Sequence, residues 1–215
     1  MVDDDALPQP LPLLIAHARG PERDWHALCW RIDERMGRTV LGAKDAGIAA
    51  LRLTWWEEAL TDARPKASGE PTLEAWHGFA PPDRDKAWIG EIAGAWRMLL
   101  DPDPMSEADW GAFGRGRGAL FPLIARSGEQ ETLRRAGALW SLWDEARRDG
   151  DRQRGEGALA AAIAVLEDGP LARVSSRPLS LAAAMAADDV RARTMPDPRF
   201  TPRQYLRLLR RALFA

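Results

Sequence analysis

The sequence predicts an all-α protein, and three observations carry that reading. Apolar residues recur at intervals of three and four almost everywhere. No segment alternates strictly with a β-branched or aromatic bias, as a half-buried strand would. Helix start and stop signals punctuate the chain at intervals suited to helices of ordinary length. With 215 residues, of which 46% are hydrophobic, the chain can build one ordinary core and hardly two. We expect a single domain over residues 1–215 with about eight to ten helices, the first ten or so residues flexible.

The first long helix is expected to open at Pro21, with Glu22 and Asp24 in its positive first turn, and to run to about Gly42. A second runs from about Lys44 to Asp62, with Ile48, Leu51, Trp55 and Ala59 on one apolar stripe. "ARPKASGEPT" breaks it, and a short helical piece follows around "LEAWHGF". From Asp83 a helix carries Trp88, Ile92, Trp96 and Leu99 at helical spacing and stops at "DPDP". Ser106, with Asp109 three residues on, opens the next in the manner of a capping box.

That helix contains "FGRGRGALFP", whose three glycines each cost about 1 kcal/mol relative to alanine in a helix interior. Their smallness is expected to let a neighbouring helix or an apolar chain come close. Leu133, Ala136, Trp140 and Trp143 stripe the following helix, which decays into "DEARRDGDRQRGEG". The alanine-rich "ALAAAIAVLED" closes at Gly169-Pro170, and "PLSLAAAMAADDVRAR" follows a short loop. A last helix starts at Thr201-Pro202, with Tyr205, Leu208, Leu209 and Ala212 against Arg203, Arg207, Arg210 and Arg211.

Several function classes are disfavoured. Thirty Lys+Arg against thirty-two Asp+Glu leave no field to attract nucleic acid. The one cysteine, Cys29, excludes an internal disulfide framework and reads as a buried thiol in a reducing, cytoplasmic setting. Three scattered histidines offer no zinc spacing. The N-terminus reads as neither secretory signal nor membrane span, since it begins acidic and its short apolar stretch is broken by Pro12. "GRGRG" is not a phosphate loop, because it lacks both the preceding strand and the Gly-Lys-Ser/Thr ending.

The acidic pairs raise the question of magnesium. Magnesium–diphosphate chemistry wants several carboxylates about one turn apart on one helical face. Asp33 and Glu34 are adjacent, but the position one turn beyond Asp33 is Gly37, and Arg35 and Arg38 crowd the stretch; an exposed, charge-mixed face is the expected reading. Asp144 is followed at i+4 by Arg148 and Asp149 by Gln153, so an Asp144–Arg148 ion pair is expected instead of a metal site. Glu57 and Glu58 read as solvated surface. Arg115 and Arg117 either face solvent or bind an anion. Trp55 and Trp56, about 100° apart on their helix, are either packing residues or a ligand-stacking platform; packing is expected, with Trp55 in the core and Trp56 facing a cavity. The C-terminal arginine face is solvated or meets an acidic partner or anionic headgroups, giving at most peripheral contact with the inner membrane.

The stretches "WHALCWRIDERMGRTV", "IAALRLTWWEEAL", "GRGRGALFPLIARSG" and "AGALWSLWDEARRDG", in that order over roughly residues 20–155, resemble the squalene/phytoene synthase family. They are most similar to its short bacterial and mitochondrial members that have lost catalytic motifs. The resemblance implies an isoprenoid-synthase-like helical bundle around a deep apolar cavity. In active members two aspartate-rich motifs on facing helices hold magnesium and prenyl diphosphates. Here they would fall at Asp33–Gly37, where the third acid is a glycine, and within Asp144–Gln153, where the Asp-x-x-x-Asp spacing is missing. The resemblance thus makes Asp33, Glu34, Asp144 and Asp149 candidate remnants of catalytic positions, with no catalytic residue assigned. Trp30, Arg52, Trp55, Trp56, Arg117 and Trp140 are expected as cavity-wall or ligand-facing residues. No metal or other cofactor is expected unless prenyl transfer survives, in which case magnesium is. The resemblance implies a non-enzymatic protein that binds an isoprenoid or other lipid, or a protein of a membrane complex. One family member assists assembly of mitochondrial respiratory complex I in this way. The alternative is an active transferase of prenyl groups in isoprenoid biosynthesis.

Overall fold

A computed structural model describes residues 6–62, 69–148 and 151–214. The described residues are helical throughout, with no strand. In chain order the helices are α1 (Leu11–Ile15), α2 (Gly20–Leu41), α3 (Ala46–Thr61), α4 (Pro71–Gly78), α5 (Asp83–Met98), α6 (Glu107–Gly118), α7 (Leu120–Ala125), α8 (Gln130–Ala146), α9 (Arg152–Glu167), α10 (Arg177–Arg191) and α11 (Pro202–Phe214). The eleven helices among the described residues exceed the expected eight to ten because two are a turn or so long. One of these, α1, lies where a flexible N-terminus was expected to end; Leu11, Leu14 and Ile15 are buried and Leu7 packs on the core. Residues 1–5 lie outside the described residues.

Local chemistry fixes the helix ends. Asp45 caps α3 by accepting from the Ile48 backbone N–H at 2.9 Å. Ser106 and Asp109 form the reciprocal capping box on α6. Asp151 accepts from the N–H groups of Gln153 and Arg154, which starts α9 inside the charged run that had read as the decay of α8.

Helix α8 is central. Residues 136–143 are buried on every side, as expected of a helix enclosed by others, and α8 packs against α6, α7, α9 and α10. The glycines of α6 serve its close approach to its neighbours. A Cβ on Gly114 would stand 2.8 Å from Leu142, one on Gly116 3.0 Å from the Ala95 Cβ, and one on Gly118 2.6 Å from the Ala138 backbone nitrogen. Gly137 of α8 answers Gly118, whose carbonyl oxygen lies where a Gly137 Cβ would go. Pro122, without an N–H, cannot bond that carbonyl, and the chain bends from α6 into α7 there. This tight α6–α8 seam sets the side chain of Arg117 against the inner face of α8.

Candidate functional site

The expected exposed face at Asp33 and Glu34 is not what forms. Both residues are buried, at 0% and 6% exposure, because arginines from two other parts of the chain reach them. Arg117 of α6 donates Nη2 to Asp33 Oδ2 at 2.8 Å and Nε to Asp33 Oδ1 at 3.1 Å. The same Nη2 donates to Asp144 Oδ2 of α8 at 2.7 Å, and Nη1 to the Ser141 carbonyl at 3.3 Å. Arg148, just past α8, donates to Asp144 Oδ2 at 2.8 Å and Glu34 Oε1 at 3.3 Å. The Asp144–Arg148 pair expected from the i+4 spacing is therefore present. Arg117 neither faces solvent nor is free for an external anion.

Trp96 of α5 closes the cluster. Its Nε1 donates to Asp33 Oδ1 at 2.8 Å, and its ring lies 4.3 Å from the Arg117 guanidinium carbon. The ring also fills the space beside Gly37, one turn beyond Asp33: a Cβ on Gly37 would stand 2.8 Å from the Trp96 indole. Gly37 is small because Trp96 is there.

Two guanidinia contact four carboxylates, and the surplus negative charge falls on the outer pair. Burial pushes the Glu34 carboxyl above its ordinary range, with Asp144 and Asp33 adding to the rise and Arg148 opposing it. Burial likewise raises Glu145, whose Oε2 lies 3.3 Å from Arg148 Nε without a hydrogen bond. Burial would raise Asp144 as well, but Arg148 and Arg117 outweigh it and hold that carboxyl well below the usual range. Arg117, which burial alone would lower, is raised by Asp33 and Asp144.

Magnesium needs several free oxygens in near-octahedral array. Both Asp33 oxygens and Asp144 Oδ2 already accept from Arg117, Arg148 or Trp96, so these residues do not fit the ion. Among the described residues no group of three His, Cys, Asp or Glu side chains is arranged to hold a metal. Asp149 lies outside the described residues.

The expected wall residues divide between core and surface. Trp30 and Trp140, each 1% exposed, pack edge to face at 5.5 Å in the core. The α3 tryptophans reverse their expected places: Trp56 is buried at 8% exposure and Trp55 is 48% exposed. The reason is that α3 has two apolar stripes, and Ala49, Leu53, Trp56 and Leu60 are the one turned to the core. Ile48, Leu51 and Trp55 face outward, and Arg52 is exposed with them. Glu57, expected to be solvated, pairs with Arg97 at 2.7 Å. Cys29 is fully buried, and burial raises its thiol. On α11, Leu208 and Ala212 are buried as expected, but Tyr205 and Leu209 are exposed. Arg207 and Arg211 pair with Asp189 and Asp188 of α10.

Sequence reasoning missed Trp96 and Glu145 as members of the cluster. Trp96 is 63 residues from Asp33, and its helical spacing marked only an apolar stripe. No family model matches the chain, and no curated protein or solved structure matches it.

Proposed function

We propose that the chain is a squalene/phytoene synthase-like protein that no longer carries out prenyl-diphosphate chemistry and instead binds a lipid or a partner protein, as an assembly protein does. One observation carries the first half of this reading. The two acidic stretches that the resemblance sets on facing helices do converge, at Asp33 and Asp144, but on the guanidinium of Arg117. The cation between them is part of the chain. The indole of Trp96 fills the remaining space beside Gly37. Protein cations and an aromatic ring thus occupy the place where metal-bound diphosphates would have to sit.

The second half is supported by surface. Ile48, Leu51 and Trp55 of α3 are 52%, 72% and 48% exposed, an apolar strip with no cover among the described residues. On α11, Leu206, Leu209 and Leu213 form a second strip, beside the exposed arginines Arg203 and Arg210. No helix among the described residues is long and apolar enough to cross a membrane.

Calorimetric titration with farnesyl diphosphate, with and without magnesium, tests the loss of chemistry. No magnesium-dependent binding is expected. Tight binding that requires magnesium and disappears in Asp33→Ala would replace this reading with the prenyl transferase. Native mass spectrometry of the purified protein tests the binding role. A retained lipid or partner, lost in Trp55→Ser or Leu209→Ser, is expected.

A further inference from the structure

We infer that a second, separate site, the pocket between the N-terminal ends of α2 and α10, binds a phosphomonoester that carries an apolar body. The inference does not rest on the function proposed above. His26 and Asp33 are both on α2, seven residues and so about 10 Å apart along its axis, and the pocket opens at the end of α2 away from the charge cluster.

The pocket encloses about 610 Å³, within the range of small-molecule sites. Three arginines line it, Arg19, Arg126 and Arg177, against one lining carboxylate, Glu22. Each cation is held differently. Arg126 is fixed: its guanidinium lies 3.8 Å above the Trp25 ring and 3.4 Å from the buried carboxylate of Asp85. Arg177 is tethered by donation to the Ala212 carbonyl. Arg19 is exposed and has no ion partner among the described residues, so its charge is available to a ligand.

Two helix N-termini meet at this pocket. The 22-residue α2 and the 15-residue α10 both lack a side-chain cap, although Ser176 at the α10 N-cap has the hydroxyl for one. The positive ends of both dipoles suit an anion, although Pro21 and Pro178 in the first turns supply no N–H and the Glu22 N–H is bonded to the Arg19 carbonyl. A buried polar side chain lines the pocket beside these ends. His26 lines the pocket, is only 3% exposed, and its Nδ1 has no hydrogen-bond partner. Burial holds His26 below its ordinary value, with Glu22 opposing.

The rest of the lining supplies the apolar half. Trp25 and Phe79 meet edge to face at 5.4 Å, and the two bonds from Trp25 Nε1 to the Leu123 and Ile124 carbonyls lock the indole in place. Ile124 and Pro178 continue this surface. A phosphate held at the arginines would lay a ring or short chain against it. The phosphomonoester could be a free metabolite or the headgroup of phosphatidic acid.

Histidine-detected NMR on the full chain, titrated with phenyl phosphate, tests the inference. The His26 resonance is expected to shift saturably, with phenyl phosphate binding more tightly than inorganic phosphate and phenol not binding. Arg19→Ala is expected to weaken binding at least tenfold while leaving the melting temperature unchanged. Co-sedimentation with phosphatidic acid vesicles is the second arm. Vesicle binding above that to phosphatidylcholine, lost in Arg19→Ala, assigns the anion to the lipid headgroup; binding of phenyl phosphate alone assigns it to a free metabolite. Phenol binding as well as phenyl phosphate, or no response to either phosphomonoester, overturns the inference. So does an Arg19→Ala protein that binds as the parent does.

Discussion

Along the α6–α8 seam the buried residues include Arg117, Ser141 and Glu145, whereas along α3 the residues turned outward are Ile48, Leu51 and Trp55. Both regions follow helical spacing, and each inverts the usual rule of apolar inside and polar outside. The inversions have different causes. In the seam, glycines let α6 and α8 approach, and each of the three guanidinium nitrogens of Arg117 finds an oxygen partner nearby, which lets it be buried at 1% exposure. On α3 no described residue covers the second apolar stripe. The seam is therefore closed on both sides by protein, whereas the outer stripe of α3 is open among the described residues.

The largest expected effect breaks the seam. Asp33→Ala leaves Arg117 and the Trp96 N–H with one partner fewer at a fully buried position, and should cost about 3–5 kcal/mol. Denaturant unfolding measures it. An Asp33→Leu, Arg117→Met double variant, which removes both members, should lose less than the Asp33 variant alone. If the double variant is the less stable of the two, the pair is a net contributor to stability, not a self-neutralised remnant.

Trp56→Ala empties a core position on α3, which packs against α2 and α5, and should cost about 3–5 kcal/mol. Next comes the close approach. Gly118→Ala places a methyl group 2.6 Å from the Ala138 nitrogen, a backbone atom that cannot swing aside, and should cost about 1–3 kcal/mol, measured as a lowered melting temperature.

These regions also differ in how much of them could be read from sequence. The helices were legible because their signals are local: Ser106 with Asp109, Asp83 after Pro82, and the Gly169-Pro170 stop each act within one turn. The closeness of α6 to its neighbours was legible in Gly114, Gly116 and Gly118. The site was less so. Asp33, Asp144 and Arg117 could each be named as candidates, but their meeting is a tertiary fact, and 84 residues separate Arg117 from Asp33. Without it, an acidic residue among arginines reads as a solvated face. On α3, both stripes have the same spacing, so periodicity could place the helix but not choose its inner face.

The acid cluster gives a smaller, pH-dependent effect. Because Glu34 and Glu145 are raised by burial, the folded protein binds more protons than the unfolded chain above the ordinary glutamate value of about 4.3. Stability should therefore fall as pH rises from there through the raised values. Asp144 acts oppositely: its lowered value favours the folded state once the unfolded aspartate is ionised, and that contribution is lost as pH falls below about 3.9. Glu145→Gln should flatten the decline on the alkaline side and leave the acid limb unchanged. Melts across the acid-to-neutral range check this; an unaltered slope would remove Glu145 as the titrating group.

The smallest effect on stability is expected at Trp55, beside the residue with one of the largest. Half of its surface is already in water, and what it contributes to the fold is mainly the edge contact with Trp56 at 5.1 Å. Such a contact is worth about 0.5–1.5 kcal/mol, so Trp55→Ser should lower stability by at most about that much. The comparison with Trp56→Ala is then direct, since the two substitutions remove the same ring from adjacent positions of one helix. If α3 is finished by a lipid or partner, Trp55→Ser keeps the melting temperature and loses what native mass spectrometry finds attached. If the two variants are equally destabilised, the outward stripe is held by the chain itself, and α3 no longer differs in kind from the seam.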